Sequence, residues 1–387
     1  MADSPYPELK KTHTMARVGR PFTDRKPPAA APVWDVIEGF GRFHVLSSAL
    51  ELDVFDTLAD TGPTTADELA SALDVSAPHL ETLLEGVVSL GLLDRRHGRF
   101  ELNDTARRYL VSDSPASMAA LIPVSPGPLE NWRRLTDTVR TGVPADPVDD
   151  DTGFHVPLVE GTFTTINRCA MRADLQLRYS ALTDPMVLDL GAGGAPWAIA
   201  VLEANAGASA VVNDLDGVID VARRKVAERE LTGRVEFRPG SFHDIDIEPD
   251  TYDLVVLGHV CRTEGVERTV SLMRRAYTAL RPGGRLLVGD YFCDEQRSQA
   301  AHALMMGVTM MASTRRGATF THGQVGRWLT DTGFEAVRCI EPIGFQEVFV
   351  ATKPPTPNVA NPNVTTTRAT NPIPPDTTAP TARGATR

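Results

Sequence analysis

Cysteine is scarce. The four thiols, Cys169, Cys261, Cys293 and Cys339, are scattered along 387 residues with no Cys-x-x-Cys pair and no histidine at ligand spacing. That excludes a disulfide framework or a zinc motif written in the sequence, and reads as free thiols in a reducing cytoplasm. Long apolar runs are missing too. Nowhere do about 18 apolar residues pass without a charge, and the N-terminus lacks the apolar core of a secretory signal. The expectation is a soluble, cytoplasmic protein with no membrane segment. Basic charge is in deficit, with 39 Lys and Arg against 50 Asp and Glu and a net charge of −11. Such a balance repels phosphate backbones and argues against nucleic acid as the main partner.

What is present suits about two domains with unstructured ends. Residues 1–31 mix Pro, Lys, Arg and Thr with little apolar content, and residues 353–387 are rich in Pro, Thr and Asn. Neither stretch has the apolar surface to offset its ordering entropy, so both are expected to be disordered. Residues 32–123 read as one unit. Val36, Ile37, Phe40, Phe43, Leu46 and Leu50 recur at helical spacing, and Thr64-Thr65-Ala66-Asp67-Glu68 and Ser76-Ala77-Pro78 each open a further helix. Leu92 to Arg96, Gly98, then Arg99 to Leu102 reads as a hairpin. Helices followed by such a wing make a winged-helix unit: either a DNA reader with Arg95, Arg96 and Arg99 in a groove, or a dimerisation domain with a solvated hairpin. Residues 124–184 are expected to form bridging helices that wall a pocket. Residues 185–352 alternate strand and helix, with near-continuous apolar strands such as Tyr252 to Gly258, the mark of a parallel α/β sheet covered on both faces. Pro282-Gly283-Gly284 reads as a turn before a strand from Arg285 to Gly289.

The most informative stretch is Met186-Val187-Leu188-Asp189-Leu190-Gly191-Ala192-Gly193, followed by a helix opening at Pro196. It reads as buried strand, glycine turn and crossover helix. Bare backbone at Gly191 and Gly193 lets a ligand come close. Asp214, at the end of the next strand, stands about 20 residues on, where such a fold keeps a carboxylate for ribose hydroxyls.

These residues, with Asn213-Asp214-Leu215, Pro239-Gly240-Ser241-Phe242, Leu280-Arg281-Pro282-Gly283-Gly284 and Asp331-Thr332-Gly333-Phe334, resemble the motif series of class I S-adenosylmethionine (SAM) dependent methyltransferases. With the winged-helix unit in front, residues 34–352 resemble the small-molecule O-methyltransferases of the caffeic-acid and acetylserotonin type. The resemblance implies a Rossmann-like SAM-binding sheet behind an N-terminal all-α/winged-helix dimerisation domain, a homodimer, and a small, aromatic acceptor of secondary metabolism. It implies that Asp189, Gly191, Gly193, Asp214, Ser241 and Phe242 surround the cofactor, with no metal. The family's general base is a histidine in a Leu-His-Asp-Trp segment, and the matching stretch here reads Leu257 to Glu264 with Arg262 in its place. A guanidinium stays protonated and cannot abstract a proton, though its forked donors suit a carboxylate or phenolate. A base, if one is needed, is expected at His322 or His259, oriented by Asp290 or Glu264. Met305, Met306, Met310 and Met311 read either as acceptor-pocket lining or as core. Three readings stay open: O-methylation, C- or N-methylation at the altered site, and a non-catalytic winged-helix regulator.

Overall fold

The structure is a computed structural model and describes residues 30–125, 127–343 and 346–356. The expected disordered tails fall almost wholly outside these residues. The chain forms two compact units. The first runs to Gly127 and takes in Pro157–Thr165; the second takes Pro128–Val156 and the described residues from Ile166 onward.

The first unit begins with α1 (Ala31–Glu51), which carries Pro in its first turn, where a missing N–H costs nothing. Then come α2 (Val54–Thr61), α3 (Ala66–Leu73), α4 (Ala77–Ser89), the hairpin β1 (Leu93–Arg96) and β2 (Arg99–Leu102), and α5 (Asp104–Tyr109). Thr65 closes a full capping box on α3: its hydroxyl takes the Glu68 N–H while the Glu68 carboxylate takes the Thr65 N–H. Ser76 does not repeat this on α4; its hydroxyl pairs with His79 Nδ1 at 2.8 Å. Phe55, Leu58, Leu69, Leu84, Val87 and Phe100 fill the core between these elements. The three wing arginines are all engaged by carboxylates: Arg95 by Glu81 and Glu85, Arg96 by Asp94 and Glu101, and Arg99 by Glu68.

The second unit opens with α6 (Leu129–Arg133), α7 (Leu135–Thr141) and part of α8 (Thr152–Leu177). The sheet elements follow as β3 (Met186–Leu190), α9 (Pro196–Ala204), β4 (Ser209–Asp214), α10 (Asp216–Ala227), β5 (Val235–Pro239), β6 (Tyr252–Gly258), α11 (Cys261–Ala279), β7 (Leu280–Asp290), α12 (Ala301–Ser313), α13 (His322–Thr332), β8 (Glu335–Ile343) and β9 (Gln346–Thr352). Strand order is β5-β4-β3-β6-β7-β9-β8. The first five strands run parallel, and β9 and β8 close the sheet antiparallel to their neighbours. Order reverses between β3 and β6, so a crevice opens at the carboxyl ends of the strands there.

One face of the sheet buries Leu188, Leu190, Val255, Leu257, Leu286 and Val288 against Leu272, Met273 and Ala276 of α11 and Leu329 of α13. Two features differ from the sequence reading. Leu280-Arg281-Pro282-Gly283-Gly284 is an irregularity inside β7: Leu280 pairs with Tyr252, the register shifts, and pairing resumes at Arg285. The β8–β9 hairpin was not anticipated; β9, paired on both sides by β7 and β8, buries Val348 to Ala351 in succession and so carries no alternation to mark it.

Candidate active site

Five strand ends build the site. At the end of β3, Asp189 is only 1% exposed. One carboxylate oxygen accepts the Ala198 N–H at the start of α9 (3.1 Å), and the other has no partner. Burial, with the Asp214 charge adding to it, pushes the Asp189 carboxyl up to about 7. The loop after β3 turns through Gly191 (φ +63°) and Gly193 (φ +58°). A methyl group at Gly191 would stand 2.6 Å from Val260 Cγ2 and 3.2 Å from the Phe242 ring, so only glycine fits.

Asp214, ending β4, fastens this loop. Its two carboxylate oxygens accept the Gly193 N–H (2.6 Å) and the Leu215 N–H (2.8 Å), which leaves lone pairs on both for a ligand. Burial holds its carboxyl above the usual range. Asn213, fully buried, donates from one amide nitrogen to the carbonyls of Arg238 and Gly240, at 2.7 and 2.9 Å. That ties down the loop carrying Ser241 and Phe242. Ser241 Oγ accepts the His243 N–H.

The second half of the site centres on Asp290, 2% exposed at the end of β7. It accepts from Arg262 Nη1 (3.1 Å), the Arg262 N–H (3.2 Å) and the Tyr291 N–H (3.0 Å). Burial alone would lift its carboxyl. The Arg262 charge and the Tyr291 N–H outweigh that and hold it below the ordinary value. Arg262 lies 5.7 Å from the Tyr291 ring centre, and its Nε is buried without a partner. His259 sits in the left-handed region (φ +62°), and its N–H donates to the Gly289 carbonyl at 2.7 Å. Its Nδ1 stays 3.7 Å from Asp290, beyond hydrogen-bond reach, and has no other partner. Burial holds the imidazole below its usual pKa, hence neutral at pH 7.

The structure therefore brings Asp290, Arg262 and His259 together, and Asp189, Gly191, Gly193, Asp214 and Phe242 around the glycine loop. It does not bring His322 to this group. That imidazole lies at the start of α13, between the Cys293 carbonyl (Nδ1, 2.8 Å) and Glu347 of β9 (Nε2, 2.7 Å). Glu264 pairs with His243 and Arg268, not with His259. Of the methionines on α12, Met310 is buried while Met305 and Met311 are exposed. Sequence reasoning missed Tyr291 and the stapling role of Asn213; the latter stood in the Asn213-Asp214 motif but is defined by its contacts across to β5.

The family model for the O-methyltransferase dimerisation domain matches residues 34–112, and the model for the O-methyltransferase domain matches residues 160–335. The chain belongs to this O-methyltransferase family. As a methyltransferase it is 27% identical over 318 residues to a 3-hydroxy-5-methyl-1-naphthoate 3-O-methyltransferase of Streptomyces sahachiroi, spanning 79% of this chain and 90% of that one. It is 23% identical over 328 residues, 81% of this chain and 87% of the other, to an L-tyrosine C(3)-methyltransferase of Streptomyces lavendulae. The crystal structure of human N-acetylserotonin methyltransferase in complex with SAM superposes with a TM-score of 0.73 at 25% identity, covering 86% of this chain and 99% of that one.

Proposed function

We propose that this methyltransferase moves the methyl group of SAM to an oxygen of a small aromatic acceptor that Arg262 holds as an anion. The residues of the glycine loop fit the cofactor. Gly191 is packed against Val260 and Phe242 with no room for a Cβ, which holds the loop in its turn, and Asp189 keeps one buried carboxylate oxygen without a protein partner. Asp214 keeps acceptor capacity for ribose hydroxyls. Bound there, SAM supplies a methyl group on a sulfonium centre, an electrophile that needs alignment more than activation.

The chain's own part is to bring an electron-rich oxygen into that alignment. Arg262 carries the reading. Asp290 fixes its guanidinium by one side-chain bond, and its Nε–H is left without a protein acceptor. A fixed cation favours the ionised form of an acceptor hydroxyl or binds a neighbouring carboxylate. His259, buried and neutral, completes the wall beside it. The naphthoate named for one relative is an aromatic carboxylate of the size and charge this arrangement suits. Ring-carbon methylation is the second reading, favoured by the tyrosine C(3)-methyltransferase among the relatives, since a phenolate also raises the nucleophilicity of its ring.

Calorimetric titration with S-adenosylhomocysteine tests the cofactor, and a panel of hydroxynaphthoates and matching naphthols tests the acceptor. Arg262→Met should lower kcat/KM for the hydroxynaphthoates by roughly 10- to 100-fold, the worth of a charged hydrogen bond, and leave cofactor affinity intact. Equal losses with charged and neutral acceptors, or none, would sink the anion reading. Mass and NMR analysis of the product separates oxygen from carbon methylation. Exposed apolar residues on α1 support a homodimer.

A further inference from the structure

Cys339 has no metal-ligand partner at sequence spacing, yet the fold gives it two. Pairing of β8 with β9 and the start of α13 bring His322 Nε2, Cys339 Sγ and a Glu347 carboxylate oxygen within 4.8 Å of one another; among the described residues this is the one such group of His, Cys and carboxylate atoms. Nε2 lies 2.7 Å and Sγ 4.0 Å from the same oxygen, Glu347 Oε1. A tetrahedral zinc site, with metal–sulfur near 2.3 Å and metal–nitrogen or metal–oxygen near 2.0–2.1 Å, sets its ligand atoms about 3.3 to 3.6 Å apart. Small rotamer adjustments reach that spacing from the present one.

Two further observations point the same way. The Cys293 carbonyl takes the Nδ1 proton of His322, which leaves Nε2 as the nitrogen turned to the group; this is the outer contact that orients a metal-binding imidazole. The His322 side chain is 39% exposed and Cys339 lies at the surface, so an ion can enter. Without an ion, the first distance is a His–Glu ion pair and the second a weak thiol hydrogen bond to the same oxygen, so one carboxylate oxygen already gathers the nitrogen and the sulfur.

We propose that His322, Cys339 and Glu347 form a site for a zinc-like divalent transition-metal ion, with three protein ligands and one position open to solvent. The donor set is nitrogen, sulfur and oxygen, which suits zinc or cobalt and not magnesium or calcium. On binding, the proton shared between Nε2 and Glu347 and the thiol proton leave to solvent. The ion then cross-links α13, β8 and β9. The site adjoins the Arg262–Asp290 group, since Glu347 lies opposite Asp290 across β7 and β9, but it shares no ligand with that group and stands whatever acceptor the group takes.

Full-length protein, stripped of metal and kept reduced, is titrated with Co²⁺ and then with Zn²⁺. Expected are one equivalent of Co²⁺ per chain, a thiolate-to-cobalt absorption band, its loss on adding Zn²⁺, and a zinc-dependent rise in Tm. Cys339→Ser should abolish the band, and Glu347→Gln should weaken zinc binding by at least 10-fold. Circular dichroism confirms that each variant is folded, and Glu347→Gln decides alone if the serine variant is not. Absence of uptake overturns the proposal. So does a band that persists in Cys339→Ser, which would place the sulfur elsewhere, or zinc affinity unmoved in Glu347→Gln, which would leave only an ordinary ion pair.

Discussion

Asp189 is a carboxyl group shut away from water, with one oxygen satisfied by a helix N–H and the other by nothing in the protein. Its pKa of about 7 in the fold lies well above that of an exposed aspartate. The fold therefore binds this proton more tightly than the unfolded chain does. The group favours folding most below pH ~4 and costs progressively more as pH rises from there through 7. Asp189→Asn should flatten that part of the profile and leave the variant more stable than the parent at pH 8 by a few kcal/mol, with the two converging near pH 4. Urea midpoints across the pH series check this; parallel profiles would contradict it. Asp189, Gly191 and Asp214 were legible in the sequence because each obeys a local constraint: an acid at a strand end, a backbone turn that excludes Cβ, a second acid one crossover later. His322 was legible as a histidine but not as a partner of Glu347. That pairing depends on the register that sets Glu347 opposite Asp290, and no local pattern encodes a register between distant strands.

Helix starts show how far a local pattern reaches. Thr65 and Ser76 look alike in sequence, each a hydroxyl ahead of a helical run, but only Thr65 caps with its side chain. Thr321 on α13 forms a second full box with Gln324, its hydroxyl accepting the Gln324 N–H at 3.2 Å. Thr321→Ala should cost about 1 kcal/mol in unfolding free energy, and Ser76→Ala should stay within about 0.5 kcal/mol. Chemical denaturation of both variants measures the contrast, and equal losses would refute the capping assignment. The same limit explains Pro282-Gly283-Gly284. Glycine and proline announce a bend, but whether the bend ends a strand or bulges within it is decided by the neighbours. Here Gly283 donates to the Lys353 carbonyl and Lys353 donates back to Gly284, so β7 continues past the irregularity.

For the molecule as a whole, no helix among the described residues is long and apolar enough to cross a membrane. Yet α1 displays Val33, Trp34, Val36, Ile37 and Phe40 at 58–81% exposure, a stripe that recurs every three to four residues. Within a dimerisation domain such a face is stable when a second copy covers it. Replacing Ile37 and Phe40 together by Asp should convert a dimer to a monomer in light scattering while leaving the far-ultraviolet dichroism unchanged; a dimer that survives would locate the interface elsewhere. The strand alternation and the glycine loop revealed the α/β half from sequence. The N-terminal half was readable as helices and a wing, but its extent was not, because Pro157–Thr165 rejoins it from thirty residues downstream. Gly161 shows how tightly: a methyl group there would stand 2.4 Å from the Ala120 carbonyl oxygen. The N-terminal unit is thus closed by a strap donated from α8, so a gene fragment cut at Gly127 omits a piece of its own wall, and swapping this module between relatives calls for two crossovers instead of one.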